Sequence, residues 1–330
     1  MTDAAFSRVW AGCRGLLAAV WLLGIATPAA AERLVFTSVT PSGPAEFLAG
    51  TAPATEIHGS LAFPEGMGAA RLPAIILSHG SGGILPGRED AWAARLRRLG
   101  FATFILDSFT PRGIASTGAD QSRLSLAASV ADALHALRVL AAHPRVDPAR
   151  IGIMGFSKGG QVALYTLLEP FRRAALGEGG PRFALHVALY ASCSIPYLGE
   201  PVSNAPVLML LGGADDYTPA AHCARYAEWL RARGAQLRML VLEGAHHGFD
   251  TPDAPRFLPR VQSARDCGLD ISLEPIEARL WHDGRVLAGE AIGAHLRGCM
   301  RRGGTFGGDP AALAHAIREV ELAARRLRGG

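Results

Sequence analysis

The chain has 330 residues, 49% hydrophobic and 19% charged, with 39 Gly and 21 Pro. That mixture can bury a full core and excludes disordered, collagen-like and coiled-coil chains. Its 33 basic and 29 acidic residues leave a formal charge of +4 and are interspersed, which excludes the basic stripe of a nucleic-acid binder.

Residues 1–31 read as a signal peptide. Arg8 and Arg14 precede an apolar run from Leu16 to Ile25, Pro28 breaks it, and Ala29-Ala30-Ala31 offers a small-residue cleavage site before Glu32. The run is about ten residues, well short of the roughly 20 that span a bilayer, and Cys13 precedes it, so it does not suit lipidation. The expectation is an exported, periplasmic or extracellular protein with no stable membrane anchor after cleavage.

From residue 32 to 330 the pattern is that of a single α/β domain. The segments Leu34–Val39, Ile57–Phe63, Pro73–Ser78, Phe101–Leu106, Arg150–Gly155, Phe183–Tyr190, Pro206–Leu211 and Leu237–Leu242 read as strands. Several are near-continuous in Ile, Val and Leu, as strands buried on both faces are. Trp92–Leu99, Leu124–Ala142, Gly159–Leu168, Ala220–Arg233 and Pro310–Leu327 carry helical spacing. Their alternation predicts a mostly parallel, twisted sheet of about eight strands with helices on both faces. Residues 251–309 are rich in Gly and Pro and read as an irregular insertion, with a hairpin in Arg279–Leu287 turning at Asp283-Gly284.

Beyond the leader stand four cysteines. Their spacing favours Cys193 with Cys223 and Cys267 with Cys299, two loops of about 30 residues. No pair has CxxC spacing and HExxH is absent, so no metal and no cofactor are implied.

The strongest chemical signal is Gly155-Phe156-Ser157-Lys158-Gly159-Gly160, directly after one strand and opening a helix. That is the setting of a G-x-S-x-G nucleophile elbow, whose tight turn exposes a serine hydroxyl and leaves no room for Cβ atoms two residues to either side. A serine nucleophile needs a base, and the base an orienting acid. Both types follow later strands, as Asp215-Asp216 and as His246-His247, and the residues alone leave each pair open. The unchosen aspartate, with Thr218, would suit the start of the helix from Pro219.

These residues, together with Leu77-Ser78-His79-Gly80-Ser81-Gly82-Gly83 and Asp107-Ser108-Phe109-Thr110-Pro111-Arg112-Gly113, resemble the dienelactone hydrolase family of α/β-hydrolases from about Ile57 to Phe249. The resemblance implies the α/β-hydrolase fold, Asp215 as the acid and His247, directly before Gly-Phe, as the base. Dienelactone hydrolases proper use a cysteine nucleophile, where this chain has Ser157.

An oxyanion hole would use the backbone N–H groups of Lys158 and Ser81, with His79 a structural histidine. Lys158 is the only lysine in the chain, and its side chain is either an exposed helix-start residue or an ammonium beside the acyl pocket. Arg112, at the carboxyl edge of the sheet, is a candidate for a substrate carboxylate. The expected partner is a small ester or lactone, cleaved through an acyl-enzyme. The alternatives are a serine peptidase on the same fold and a non-catalytic secreted binding protein.

Overall fold

The apolar runs expected between residues 73 and 211 form strands buried on both faces, and Leu237–Leu242 forms a partly exposed strand at the sheet edge. A computed structural model describes residues 31–329, so the leader assigned to residues 1–31 lies outside the described residues except for Ala31. The chain runs β1 (Glu32–Val39), α1 (Pro44–Leu48), β2 (Ala54–Ala62), β3 (Leu72–Ser78), α2 (Glu89–Arg98), β4 (Ala102–Asp107), α3 (Leu126–Ala142) and β5 (Val146–Phe156). It continues through α4 (Lys158–Tyr165), α5 (Glu169–Leu176), β6 (Leu185–Leu189), β7 (Tyr197–Leu198), β8 (Val207–Gly212), α6 (Ala220–Arg231) and β9 (Leu237–Leu242).

Eight of these strands form one sheet in the order β1-β2-β4-β3-β5-β6-β8-β9. β1 and β2 pair antiparallel, β2 joins β4 antiparallel, and every pairing from β4 to β9 is parallel. Side chains alternate across it. On β8, Val207, Met209 and Leu211 enter the core that packs against α3, α4 and α6, while Leu208 and Leu210 enter the core against α2. Ala74 and Ile76 of β3 face the first core, and Ile75 and Leu77 the second. Each fully buried aliphatic side chain is worth about 1.5–3 kcal/mol, so a one-residue slip of a central strand would exchange its two faces at once.

The segment read as irregular is structured. It carries β10 (Arg256–Ser263), β11 (Leu269–Leu273), β12 (Ile276–Leu280), β13 (Val286–Ala288), α7 (Glu290–Cys299) and β14 (Arg301–Phe306), before α8 (Pro310–Gly329) returns to the main sheet against the core shared with α2. β10 pairs with β14, and β7, β11, β12 and β13 form a separate four-stranded sheet. The expected hairpin is present as β12 and β13, with Gly284 at positive φ in its turn.

Cys193 is bridged to Cys223 and Cys267 to Cys299, closing loops with separations of 30 and 32 residues. The first bridge ties the segment after β6 to α6, and the second ties the entrance of β11 to the end of α7. Two disulfides suit an oxidising compartment, and among the described residues no helix is long and apolar enough to cross a membrane. In the chain-entropy account each loop is worth roughly 3–4 kcal/mol. The double variant Cys267→Ser/Cys299→Ser should therefore unfold at a clearly lower urea concentration than the parent. An unchanged midpoint would mean that the bridge adds nothing.

Two buried histidines set an acid limit. Burial holds the pKa of His186 of β6 down to about 4, and among the described residues its Nε2 has no hydrogen-bond partner. Burial, aided by Arg138, holds His135 of α3 at about 4 as well. Because the folded values lie below the ordinary 6.5, protons bind the unfolded chain first. Stability is complete above pH about 6.5 and falls as pH drops toward 4, by a few kcal/mol for the two together. Urea unfolding from pH 7.5 to 4.5 should show that slope, and His186→Gln should flatten it. A variant with the parental slope would remove His186 as a cause.

Candidate active site

Backbone sterics place the serine. Ser157, between β5 and α4, has φ 54° and ψ −112°, a left-handed conformation that a non-glycine residue holds only when its surroundings impose it. The turn is that tight because Gly155 and Gly159 let its two arms touch: a Cβ at 155 would lie 1.8 Å from the Gly159 carbonyl oxygen, and one at 159 would lie 1.9 Å from the Ser78 carbonyl oxygen. The hydroxyl of Ser157 is thereby held at the carboxyl edge of the parallel strands.

The histidine arrives from the turn after β9 and the acid from the turn after β8. His247 Nε2 is 2.9 Å from Ser157 Oγ, and His247 Nδ1 is 2.8 Å from Asp215 Oδ2. Asp215 Oδ1 accepts the backbone N–H groups of Tyr217 at 3.0 Å and Thr218 at 2.7 Å, which fixes the carboxylate in place. With Nδ1–H donating to Asp215, Nε2 is left as the acceptor for the serine O–H.

Asp216 and His246 stand apart from this relay. The Asp216 carboxylate accepts the Thr305 backbone N–H at 2.6 Å and its hydroxyl at 3.0 Å, tying the loop to β14 instead of capping α6. Thr218 does not cap α6 either. Its hydroxyl lies 2.7 Å from Asp215 Oδ2 and 2.9 Å from His247 Nδ1, at the hinge of the acid–histidine pair.

Sequence reasoning missed that contact and the aromatic cage around the imidazole. Tyr190, Tyr217 and Phe306 place ring centroids 4.8, 4.8 and 4.7 Å from the His247 ring. Phe306 comes from β14, which forms a bridge with His247, and the Gly307 N–H donates to the His247 carbonyl at 3.0 Å. The one sequence signal was that residues 251–309 depart from the sheet directly after His247.

The loop after β3 approaches from the other side. A Cβ on Gly80 would stand 3.3 Å from Ser157 Cβ, so a glycine lets the loop pack onto Ser157. Among the described residues, no acceptor takes the backbone N–H of Ser81 or of Lys158, and both residues border the cavity at Ser157. His79 is structural: its Nδ1–H donates to the Gly80 carbonyl at 2.8 Å, its Nε2 accepts the Ser108 N–H at 3.2 Å, and burial lowers its pKa.

Lys158 is buried, not exposed. Its Nζ donates to the Leu124 carbonyl at 2.7 Å, and burial brings its pKa down to about 8. Arg112 corrects the expectation of a substrate-binding guanidinium. Its Nη1 and Nη2 pair with Asp132 of α3 at 2.7 and 3.0 Å, and the remaining N–H groups donate to Thr40 Oγ1 and the carbonyls of Ser108 and Val39. All five donors are spent inside the protein, so none is left for a ligand.

Two cavities meet at Ser157, one of about 460 Å³ and one of about 270 Å³. Both are walled in part by residues from 251 to 309, among them Ile271, Leu296 and Met300 in the larger and Leu258 and Val261 in the smaller. The β12–β13 hairpin takes no part. Trp281 packs on His222 and Arg225 and donates to Asp270 at 2.8 Å, outside either cavity.

The dienelactone hydrolase family model matches residues 57–269. The chain is 32% identical over 123 residues to a putative carboxymethylenebutenolidase of Methylorubrum extorquens, an alignment covering 37% of this chain and 41% of the relative. It is 25% identical over 191 residues to a probable 2-oxo-3-(5-oxofuran-2-ylidene)propanoate lactonase of Bradyrhizobium sp, covering 54% of this chain and 74% of that one. It thus spans less than half the length of the first relative. A solved dienelactone hydrolase-like promiscuous phosphotriesterase from metagenomic libraries shares the fold, with a TM-score of 0.50 and 17% identity over 89% of this chain and 98% of the other. With an α/β-hydrolase sheet, a serine elbow between β5 and α4, and a family match over most of the described length, the chain belongs to the dienelactone hydrolase family.

Proposed function

We propose that this protein is an exported serine hydrolase that cleaves small carboxylic esters or lactones. The observation that carries the reading is the continuous relay from Asp215 through His247 to a serine hydroxyl on a strained turn, at 2.8 and 2.9 Å. Two relatives that this chain resembles are named for lactone or butenolide hydrolysis. Export rests on the leader composition and the two disulfides.

In this reading Ser157 Oγ attacks the substrate carbonyl carbon while His247 Nε2 takes its proton. The tetrahedral oxyanion is met by the Lys158 and Ser81 N–H groups, each such donor being worth about 3–4 kcal/mol. Collapse breaks the acyl carbon–oxygen bond, and Nε2 returns the proton to the departing oxygen. Water then attacks the acyl-enzyme with the same imidazole as base. Asp215 holds the ring in the tautomer this requires and stabilises the imidazolium that forms.

The discriminating experiment is a panel of p-nitrophenyl esters, lactones and peptide anilides with the parent and Ser157→Ala. Ester or lactone turnover that disappears in the variant supports the proposal. Turnover of peptides alone would favour the peptidase alternative, and no turnover of any substrate would favour a binding protein.

A further inference from the structure

We infer that the site is divided into an acyl lobe and an alcohol lobe, and that its substrates are open-chain esters whose two halves are separate groups. The inference rests on the serine-hydrolase reading above. The two cavities share Ser157, Ser81 and Tyr217, but only the smaller is lined by His247. Their boundary is cross-linked: Ser81 Oγ donates to Gln121 Oε1 at 3.0 Å, Gln121 Nε2 donates to Tyr217 Oη at 3.2 Å, and Tyr217 Oη donates to the Gln262 carbonyl at 2.8 Å.

The chemistry assigns the halves. Attack forms the Oγ–carbon bond and moves the serine proton to Nε2. Collapse breaks the carbon–alkoxy bond and sends that proton to the alkoxy oxygen, which must therefore lie within hydrogen-bond reach of Nε2. The alcohol half thus occupies the cavity of about 270 Å³ that His247 lines, where Arg88, Asp253 and Arg256 suit a polar group. The carbonyl oxygen is turned toward the Lys158 and Ser81 amides. The acyl substituent is left with the cavity of about 460 Å³, whose wall includes Leu126, Ile195, Ile271, Leu296 and Met300. Departure of the alcohol opens the His247 side to the hydrolytic water while the acyl group stays in place. A small lactone joins its two halves in one ring and would leave both lobes mostly empty.

Residues 251–309 therefore set selectivity on both sides, with α7 and the Cys267–Cys299 bridge framing the acyl lobe and residues 256–261 of β10 framing the alcohol lobe. Four esters test this: acetyl and octanoyl, each with methanol and with benzyl alcohol. Leu296→Trp should lower the octanoyl-to-acetyl ratio of kcat/KM by about tenfold or more, with the benzyl-to-methyl ratio moving less than about twofold. Leu258→Trp should do the reverse. In single-turnover deacylation, which no longer contains the alcohol, the octanoyl-to-acetyl ratio should shift in Leu296→Trp and not in Leu258→Trp. Both side chains are half-buried, each ratio is internal to its variant, and Met300→Trp carries the same expectation as Leu296→Trp if the latter does not fold. Exchanged responses, both ratios shifting together, or γ-butyrolactone outrunning the octanoyl esters would overturn the lobe assignment. Ester turnover surviving in Ser157→Ala would instead overturn the hydrolase reading beneath it.

Discussion

Alanine at Ser157 or at His247 is expected to lower kcat by about 10⁴-fold or more, because each removes a group that bonds to the reacting atoms or moves their proton. The two should not add. Once the nucleophile is gone the imidazole has no proton to take, so Ser157→Ala/His247→Ala should retain about the same residual rate as either single variant. Asp215→Asn should also lose several powers of ten with the fold intact, since an amide at 2.8 Å from Nδ1 can present its N–H and impose the wrong tautomer on the ring.

The neighbouring residues provide the contrast. Asp216 binds Thr305, so Asp216→Ala should loosen β14 and cost stability while turnover persists. His246→Ala should likewise remain active. Steady-state kinetics with one p-nitrophenyl ester would check all of these, and a collapse of activity in His246→Ala with survival of His247→Ala would reverse the assignment of the base.

Gly159→Ala should prevent folding altogether. The added Cβ would sit 1.9 Å from the Ser78 carbonyl oxygen and 2.7 Å from that of His79, both backbone atoms of the β3 end that no rotamer change can move. Relief requires shifting α4 away from the sheet or unwinding the elbow, a cost beyond the 4–5 kcal/mol that marks exceptional substitutions. Gly155→Ala meets the Gly159 carbonyl in the same way. Gly43→Ala, whose Cβ would meet nothing within 4 Å, should change stability by no more than about 0.5 kcal/mol. Soluble yield and urea midpoints would show the contrast. A folded, active Gly159→Ala protein would mean that the elbow is not as tight as described.

The central sheet was legible because its signal is local and redundant. Val207–Gly212 is apolar throughout and covered on both faces, and Leu237–Leu242, apolar at all positions but Arg238, forms the partly exposed strand at the sheet edge. The helix read as 159–168 ends instead at Tyr165, and a second begins at Glu169, where Pro170 in the first turn was the signal for a new start. Residues 251–309 were harder because their strands are short and their partners distant. β10 pairs with β14 across 38 to 50 residues of chain, so tertiary contacts rather than sequence pattern fix its register.

The same reason explains Arg112. Its position after β4 suited a ligand, but Asp132 lies on the buried face of α3, 20 residues on, and claims the guanidinium. A lone carboxylate inside the predominantly apolar helix Leu126–Ala142 was the available hint, since a buried charge requires a partner. At the elbow the sequence was informative because sterics leave few choices: glycines at 155 and 159 are what the backbone geometry there demands. The cage of Tyr190, Tyr217 and Phe306 depends on three separated segments meeting, which no local pattern records.

The most direct test of the account is covalent. The parent protein incubated with a fluorophosphonate, then measured by intact mass and peptide mapping, should carry one adduct per chain on the peptide containing Ser157, and Ser157→Ala should carry none. An unlabelled parent, or an adduct that persists in Ser157→Ala, would contradict a nucleophilic serine held on this elbow.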